Sequence, residues 1–172
     1  MFRTDFTPAK GDTSSQASSD NKSEEKRYFD LIVPGVGYLN RHRWVPTNNG
    51  KDKYLAVSIM ALEGDRAAPN KVPFDLTVKG EGTIQVVDML ESEINDKDTK
   101  VLVCFKAGIR ELQKYEQTKG QNAGQEVLII KGNLIRIQSI RIKRKGQSEY
   151  EEVYNEKWAE SESEDTKQAE AA

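Results

Sequence analysis

The chain has 172 residues with 26 basic and 28 acidic side chains, one histidine (His42) and one cysteine (Cys104). A lone cysteine excludes an intramolecular disulfide, and with a single histidine no Cys/His zinc cluster can form, so neither a metal nor a cofactor is expected. The longest apolar run, VLVCF at 101–105, is far too short to span a bilayer and the N-terminus has no apolar signal core, so the expectation is a cytoplasmic protein without membrane contact.

The formal net charge of -2 hides a segregation: residues 1–26 carry -1, residues 27–148 carry +6 and residues 149–172 carry -7. A basic body beside an acidic tail suits a polyanion-binding domain flanked by a solvated, repelling segment. Residues 1–26 lack apolar periodicity and read as a disordered N-terminal arm. Residues 149–172 read as an acidic, largely disordered tail whose Tyr150, Val153, Tyr154 and Trp158 give an initial stretch the means to dock. One folded domain, 27–148, is left between them.

In chain order, YFDLIV at 28–33 and residues 37–45 form one long strand interrupted by Pro34-Gly35, a pair that permits a bend and lets one strand serve two sides of a barrel. Strict alternation puts Tyr38, Asn40, His42 and Trp44 on one side of it and Leu39, Arg41, Arg43 and Val45 on the other. Asn49-Gly50 supplies a turn into a second strand, 53–62, with Leu55, Val57, Ile59 and Ala61 on one face and Tyr54, Ala56, Ser58 and Met60 on the other. A third strand, 72–78, has an apolar face of Val72, Phe74, Leu76 and Val78. TIQVVDMLESEI at 83–94 changes to a helical period, with Ile84, Val87, Leu90 and Ile94 in one stripe and Thr83 placed to cap the start. The fourth strand, 100–108, turns Val101, Val103 and Phe105 inward and Leu102, Cys104 and Lys106 outward. A polar connection at 113–125 leads to apolar runs at 126–131 and 134–143. In the second run Ile135 and Ile137 are out of phase with Ile140 and Ile142, which demands a bulge or turn near Gln138-Ser139 if all four are buried.

Three strands, a helix and a hairpin is the order of an OB-fold: a mainly β, five-stranded barrel with one helix between strands 3 and 4 and disordered polar termini. Such barrels bind oligonucleotides, and the chemistry of the first two strands suits a single strand. Bases would stack on Tyr38, His42, Trp44 and Tyr54, and phosphates would pair with Arg41, Arg43, Lys106, Arg110, Lys114, Lys119 and Arg136 along a groove. No enzyme is expected. His42 has no nucleophile motif around it, Gly120–Gln125 lacks the Gly-Lys-Ser/Thr ending of a phosphate loop, and Asp75, Asp88 and Glu126 lack the spacing of a two-metal nuclease. Cys104 reads as a small strand residue.

The phrasing Gly37-Tyr38-Leu39, the Asn-Gly turn, YLAVSIMAL, a helix before KVLVCFKAG and a glycine-containing loop before EVLII resembles bacterial single-stranded-DNA-binding proteins. A closer resemblance is to replication proteins of bacterial integrating conjugative elements. It rests on Tyr28-Phe29-Asp30-Leu31, Gly35-Val36-Gly37-Tyr38-Leu39-Asn40-Arg41, Ala61-Leu62-Glu63-Gly64, Phe74-Asp75 and Lys100-Val101-Leu102-Val103. That resemblance implies replication or transfer of a mobile element and carries no catalytic residues with it. The tail ends Ala169-Glu170-Ala171-Ala172, without the apolar tip by which tails of single-strand binders resemble docking peptides, so recruitment through the extreme C-terminus is not expected. The expected function is non-catalytic binding of single-stranded DNA. The alternative is a protein-interaction adaptor of the same replication or transfer machinery, using the same barrel face, and self-association of the chain stays open.

Overall fold

Alternating apolar side chains do form the strands, as seen in a computed structural model that describes residues 31–118 and 123–157. The elements are β1 (Ile32–Pro46), β2 (Lys53–Glu63), β3 (Asn70–Val78), α1 (Glu81–Met89), α2 (Glu91–Asn95), β4 (Lys100–Glu116), β5 (Glu126–Lys143) and β6 (Glu151–Asn155). The strand order is β3-β2-β1-β4-β5-β6, antiparallel throughout, and a parallel pairing of β3 with β5 closes the first five into a barrel. This is the expected OB-type barrel with its helix between strands 3 and 4. No described helix is long and apolar enough to cross a membrane.

β1 runs unbroken through Pro34-Gly35, in regular register with β4, and it serves two sides of the barrel two residues further on, where the sequence allows close approach. Gly37 and Tyr38 pair on both sides at once, with Ala61 and Met60 of β2 and with Val103 and Leu102 of β4. A Cβ on Gly37 would lie 2.7 Å from the Met60 carbonyl oxygen, so only glycine lets the two neighbouring strands converge there. The inner faces then meet in one core that includes Leu39, Val57, Ile59, Leu76, Val103, Leu134 and Ile140, with Phe74 and Phe105 packed edge to face at 5.9 Å.

Four local features differ from the sequence reading. β5 is a single strand whose inward residues are Leu134, Ile137, Ile140 and Ile142. The required bulge falls at Gln138, and a second at Ile135 leaves that side chain exposed rather than buried. β4 runs eight residues beyond Gly108, through the polar stretch read as a connection, because Gln113 and Tyr115 find partners in Ile129 and Val127 of β5. The helix starts after Gly80, whose φ of 83° turns the chain. Thr83 therefore lies inside the first turn, with its hydroxyl 3.4 Å from the Ile135 carbonyl, and does not cap. The helix also breaks at Leu90, but its stripe faces the barrel as expected, with Val87 and Ile94 buried and Ile84 and Leu90 packed on the core.

The fourth difference is β6. The initial stretch of the tail docks as its apolar side chains allow, with Val153 and Tyr154 packed on the core, but it does so as a strand added to the free edge of β5. Residues 1–26 of the N-terminal arm and Trp158 lie outside the described residues.

Candidate functional site

The feature that organises the site is a β-bulge in β1. Arg41 has a φ of 57°, and the register to β2 slips between Asn40 and Arg43. A left-handed conformation costs a non-glycine residue about 1–2 kcal/mol, and it reverses the alternation of every side chain downstream. Before the bulge Leu39 points inward opposite Ile59, and Tyr38 and Asn40 point outward opposite Met60 and Ser58. After it, His42 is inward and buried, Trp44 takes the inner phase opposite Leu55, and Arg43 and Val45 take the outer phase opposite Ala56 and Tyr54.

Strict alternation had grouped Tyr38, His42 and Trp44 together and set Arg43 apart from them. That grouping is corrected: Tyr38 shares its face with Arg43 and Tyr54, while His42 and Trp44 belong to the opposite one. His42 is therefore no surface stacking residue. Its side chain is 1% exposed and lies under the helices, where Nε2 is 3.0 Å from Asp88 Oδ1. The Trp44 indole N–H donates to the same oxygen at 3.0 Å, and Asn95 Nδ2 donates to the His42 carbonyl at 3.4 Å. His42, Asp88 and Glu91 offer ligand atoms within 4.8 Å of one another. The Asp88 oxygen already accepts from the indole, however, and both carboxylates are exposed, so the group serves as a latch between β1 and the helix pair.

On the outer face of β1, β2 and β3 the chain builds a cleft of about 620 Å³, roofed by the part of the β4–β5 hairpin that projects past the barrel. Its floor carries Asn40, Ser58, Met60, Pro73 and Asp75, and its far wall carries Tyr115, Gln117, Val127 and Ile129. Among the described residues that line it, Arg41, Arg43 and Lys71 are the cations and Asp75 is the one carboxylate, leaving an excess of positive charge. Arg43 and Asp75 form an ion pair, both partly exposed, and Arg43 also reaches Ser58 Oγ at 3.5 Å and the Arg41 carbonyl at 3.4 Å. Arg43 is thus held in place, whereas Arg41 is exposed on its bulge. Cationic heads, an aromatic ring and apolar floor side chains in one trough can hold an anionic, flat-ringed polymer.

Of the residues singled out from the sequence, the cleft gathers Arg41 and Arg43. Tyr38 stands at its margin, half-buried between Met60 and Leu102 and close to the Tyr150 hydroxyl. Burial and then that contact push the Tyr150 hydroxyl up to about 12. Tyr54 is exposed near the β1–β2 turn, away from the cleft. Lys114 is ion-paired to Glu126 at 2.8 Å on the side of the hairpin opposite Tyr115, and Arg110 is exposed at an irregularity of β4. Lys106 and Arg136 face outward on the β4–β5 side of the barrel, where Arg136 pairs with Glu156. Lys119 lies outside the described residues.

Sequence reasoning missed Lys71, Tyr115, Gln117, Val127 and Ile129. A usable signal was present, because Gln113, Tyr115 and Gln117 alternate at period two just ahead of a strand.

Residues 22–160 match the family described as a protein of unknown function (DUF3577). The chain belongs to that family. The matched segment takes in the whole described barrel together with β6, so the acidic edge strand falls within the family's unit. No curated protein and no solved structure matches the chain.

Proposed function

We propose that this protein is a non-catalytic binder of single-stranded DNA, acting in replication or transfer of a mobile element. The observation that carries the reading is the cleft. Ligands of OB-type barrels lie across the face of strands 2 and 3 and against the loop between strands 4 and 5, and here that position holds Arg41, Arg43, Lys71 and the Tyr115 ring. Phosphates would pair with Arg41 and Lys71, and a base would stack on Tyr115 above Met60. Arg43, fixed by Asp75, would offer donors beside Asn40 and Ser58. A duplex keeps its bases stacked on one another and so cannot offer one to Tyr115. The segment GVGYLNR, which carries the resemblance to conjugative-element replication proteins, lines the cleft at Asn40 and Arg41. This supports DNA of such an element as the ligand.

The test is a titration of labelled oligo-dT, oligo-rU and duplex DNA at two salt concentrations. Binding should favour single strands and weaken with salt at a slope of about -0.7 per phosphate contact. Tyr115→Ala should cost about 1–3 kcal/mol of affinity, and Lys71→Ala should flatten the slope by about 0.7. Equal affinity for duplex and single strand, or no salt dependence, overturns the reading. The alternative, a protein-interaction adaptor, draws support from Leu112 and Leu128, which are 69% and 57% exposed on the other face of the hairpin. It would show as salt-insensitive capture of a replication or transfer protein, abolished by Leu128→Ser.

A further inference from the structure

The cleft is continuous with a second basic face. One cross-strand row on the outside of the barrel runs from Pro73 through Met60, Tyr38 and Leu102 to Arg141, and ends on Glu152 of β6. From Met60 to Arg141 the row crosses three strand spacings, about 14 Å in all. Four residues further along β4 on the same face, Lys106 stands directly opposite Arg136 of β5. Like charges in that position repel and destabilise a sheet, so the pair calls for an anion.

The chain supplies its own. Glu156 pairs with Arg136, Glu152 lies 3.5 Å from Arg141, and Glu151 lies 2.9 Å from Arg144, itself also 3.4 Å from Glu93. Three carboxylates in the six residues 151–156 thus lie along Arg136 and Arg141 of β5 and Arg144 just past its end. The arginine side chains remain about half exposed, at 47% for Arg136 and 56% for Arg141, so a competing anion can reach them.

We propose that a single strand longer than the cleft continues over Tyr38 onto Lys106, Arg136 and Arg141, and that Glu152 of β6 and Glu156 just past its end occupy the phosphate positions until nucleic acid displaces them. The inference rests on the nucleic-acid reading of the cleft, and extends it with a second binding surface and an internal competitor. Tyr38 becomes the crossing point, with an aromatic ring between two basic surfaces. β6 itself stays paired to β5 through its backbone, because Val153 and Tyr154 anchor it to the core, and only its acidic side chains swing away.

The experiment compares oligo-dT of about 4 and about 16 nucleotides, the limits of what one such barrel covers, across a salt series with the full chain. The longer oligonucleotide should show a salt slope steeper by about 2, which is about 0.7 for each of three added phosphate contacts. Arg136→Ala with Arg141→Ala should erase most of that steepening and leave the short oligonucleotide unchanged. Glu152→Gln with Glu156→Gln should tighten the long oligonucleotide several-fold at low salt and leave the short one alone. Glu63→Gln with Glu81→Gln makes the same change in net charge elsewhere, and should not discriminate by length. Equal slopes for the two lengths, or arginine variants that weaken both lengths alike, overturn the second surface while the cleft reading stands. Failure of both lengths to bind overturns the cleft reading as well.

Discussion

Asp88→Ala tests the latch that the bulge in β1 creates. Asp88 occupies the last turn of α1, where the helix dipole disfavours a negative charge, and it is stabilised there by hydrogen bonds from across the barrel mouth. Removing it takes the partner from a His42 nitrogen in a side chain that is 1% exposed, and Glu91, 3.7 Å from the other ring nitrogen, is too far to hydrogen-bond. Leaving one buried polar group unsatisfied costs about 1–3 kcal/mol. The Trp44 indole is 43% exposed and recovers a water, so its share is small. We therefore expect Asp88→Ala to lower unfolding stability by about 1.5–3 kcal/mol and Asp88→Asn, which keeps an acceptor oxygen, by under about 1 kcal/mol. Urea unfolding followed by circular dichroism measures this, with an unchanged m-value showing that the unfolded state is the same. A loss below about 0.5 kcal/mol for Asp88→Ala, the range of an ordinary surface substitution, refutes the latch. Oligonucleotide affinity supplies the complementary readout. Trp44→Ala should destabilise the fold yet leave binding intact, whereas a base-stacking Trp44 would lose about 1–3 kcal/mol of affinity.

Gly132→Ala should cost at least about 3 kcal/mol in thermal unfolding, because its Cβ would lie 2.0 Å from the Gly108 carbonyl oxygen, while Gly82→Ala, with open space around it, serves as the tolerated control. The folded chain favours the neutral phenol of Tyr150, so the stability this gives is complete below the ordinary tyrosine value of 10.0 and is lost as pH rises through about 12. Tyr150→Phe should flatten alkaline unfolding in that window, and an unchanged alkaline limb refutes it. Arg41→Gly relieves about 1–2 kcal/mol of left-handed strain against about 0.5–1 kcal/mol of added chain entropy. Stability should hold or rise slightly while the salt slope of binding flattens by about 0.7; marked destabilisation would refute the bulge.

Period-two patterns in strands 2, 3 and 4 were legible because each buries one face against a common core, and the helix was legible because Ile84, Val87, Leu90 and Ile94 keep a helical period. Bulges were legible only where apolar residues reported them. Ile137 and Ile140 betray the shift at Gln138, since both must be buried. In β1 the residues after the bulge are His, Arg, Trp and Val, whose polarity does not say which face is inside. Strict alternation continued through Arg41 therefore puts His42, Arg43, Trp44 and Val45 on the wrong face. β6 escaped for a different reason. A five-residue strand with two acidic residues has little pattern of its own, and its stability comes from the edge of β5 and from arginines distant in sequence.

The same slip explains why the cleft carries charge where it does. Without the bulge Arg43 would point into the barrel, where a cation is untenable without a partner, and His42 would face solvent away from Asp88. With it, Arg43 meets Asp75 across β2, and His42 meets Asp88 beneath the helix. One left-handed residue therefore settles two polar contacts on opposite faces of one strand, one lining the cleft and one securing the helix pair. Strain of about 1–2 kcal/mol at Arg41 is small beside the cost of burying an unpaired arginine, so the bulged register is the stable one. The residue that bears the strain is also the most accessible arginine of the cleft. Its backbone sets the register, which leaves its guanidinium available to a ligand.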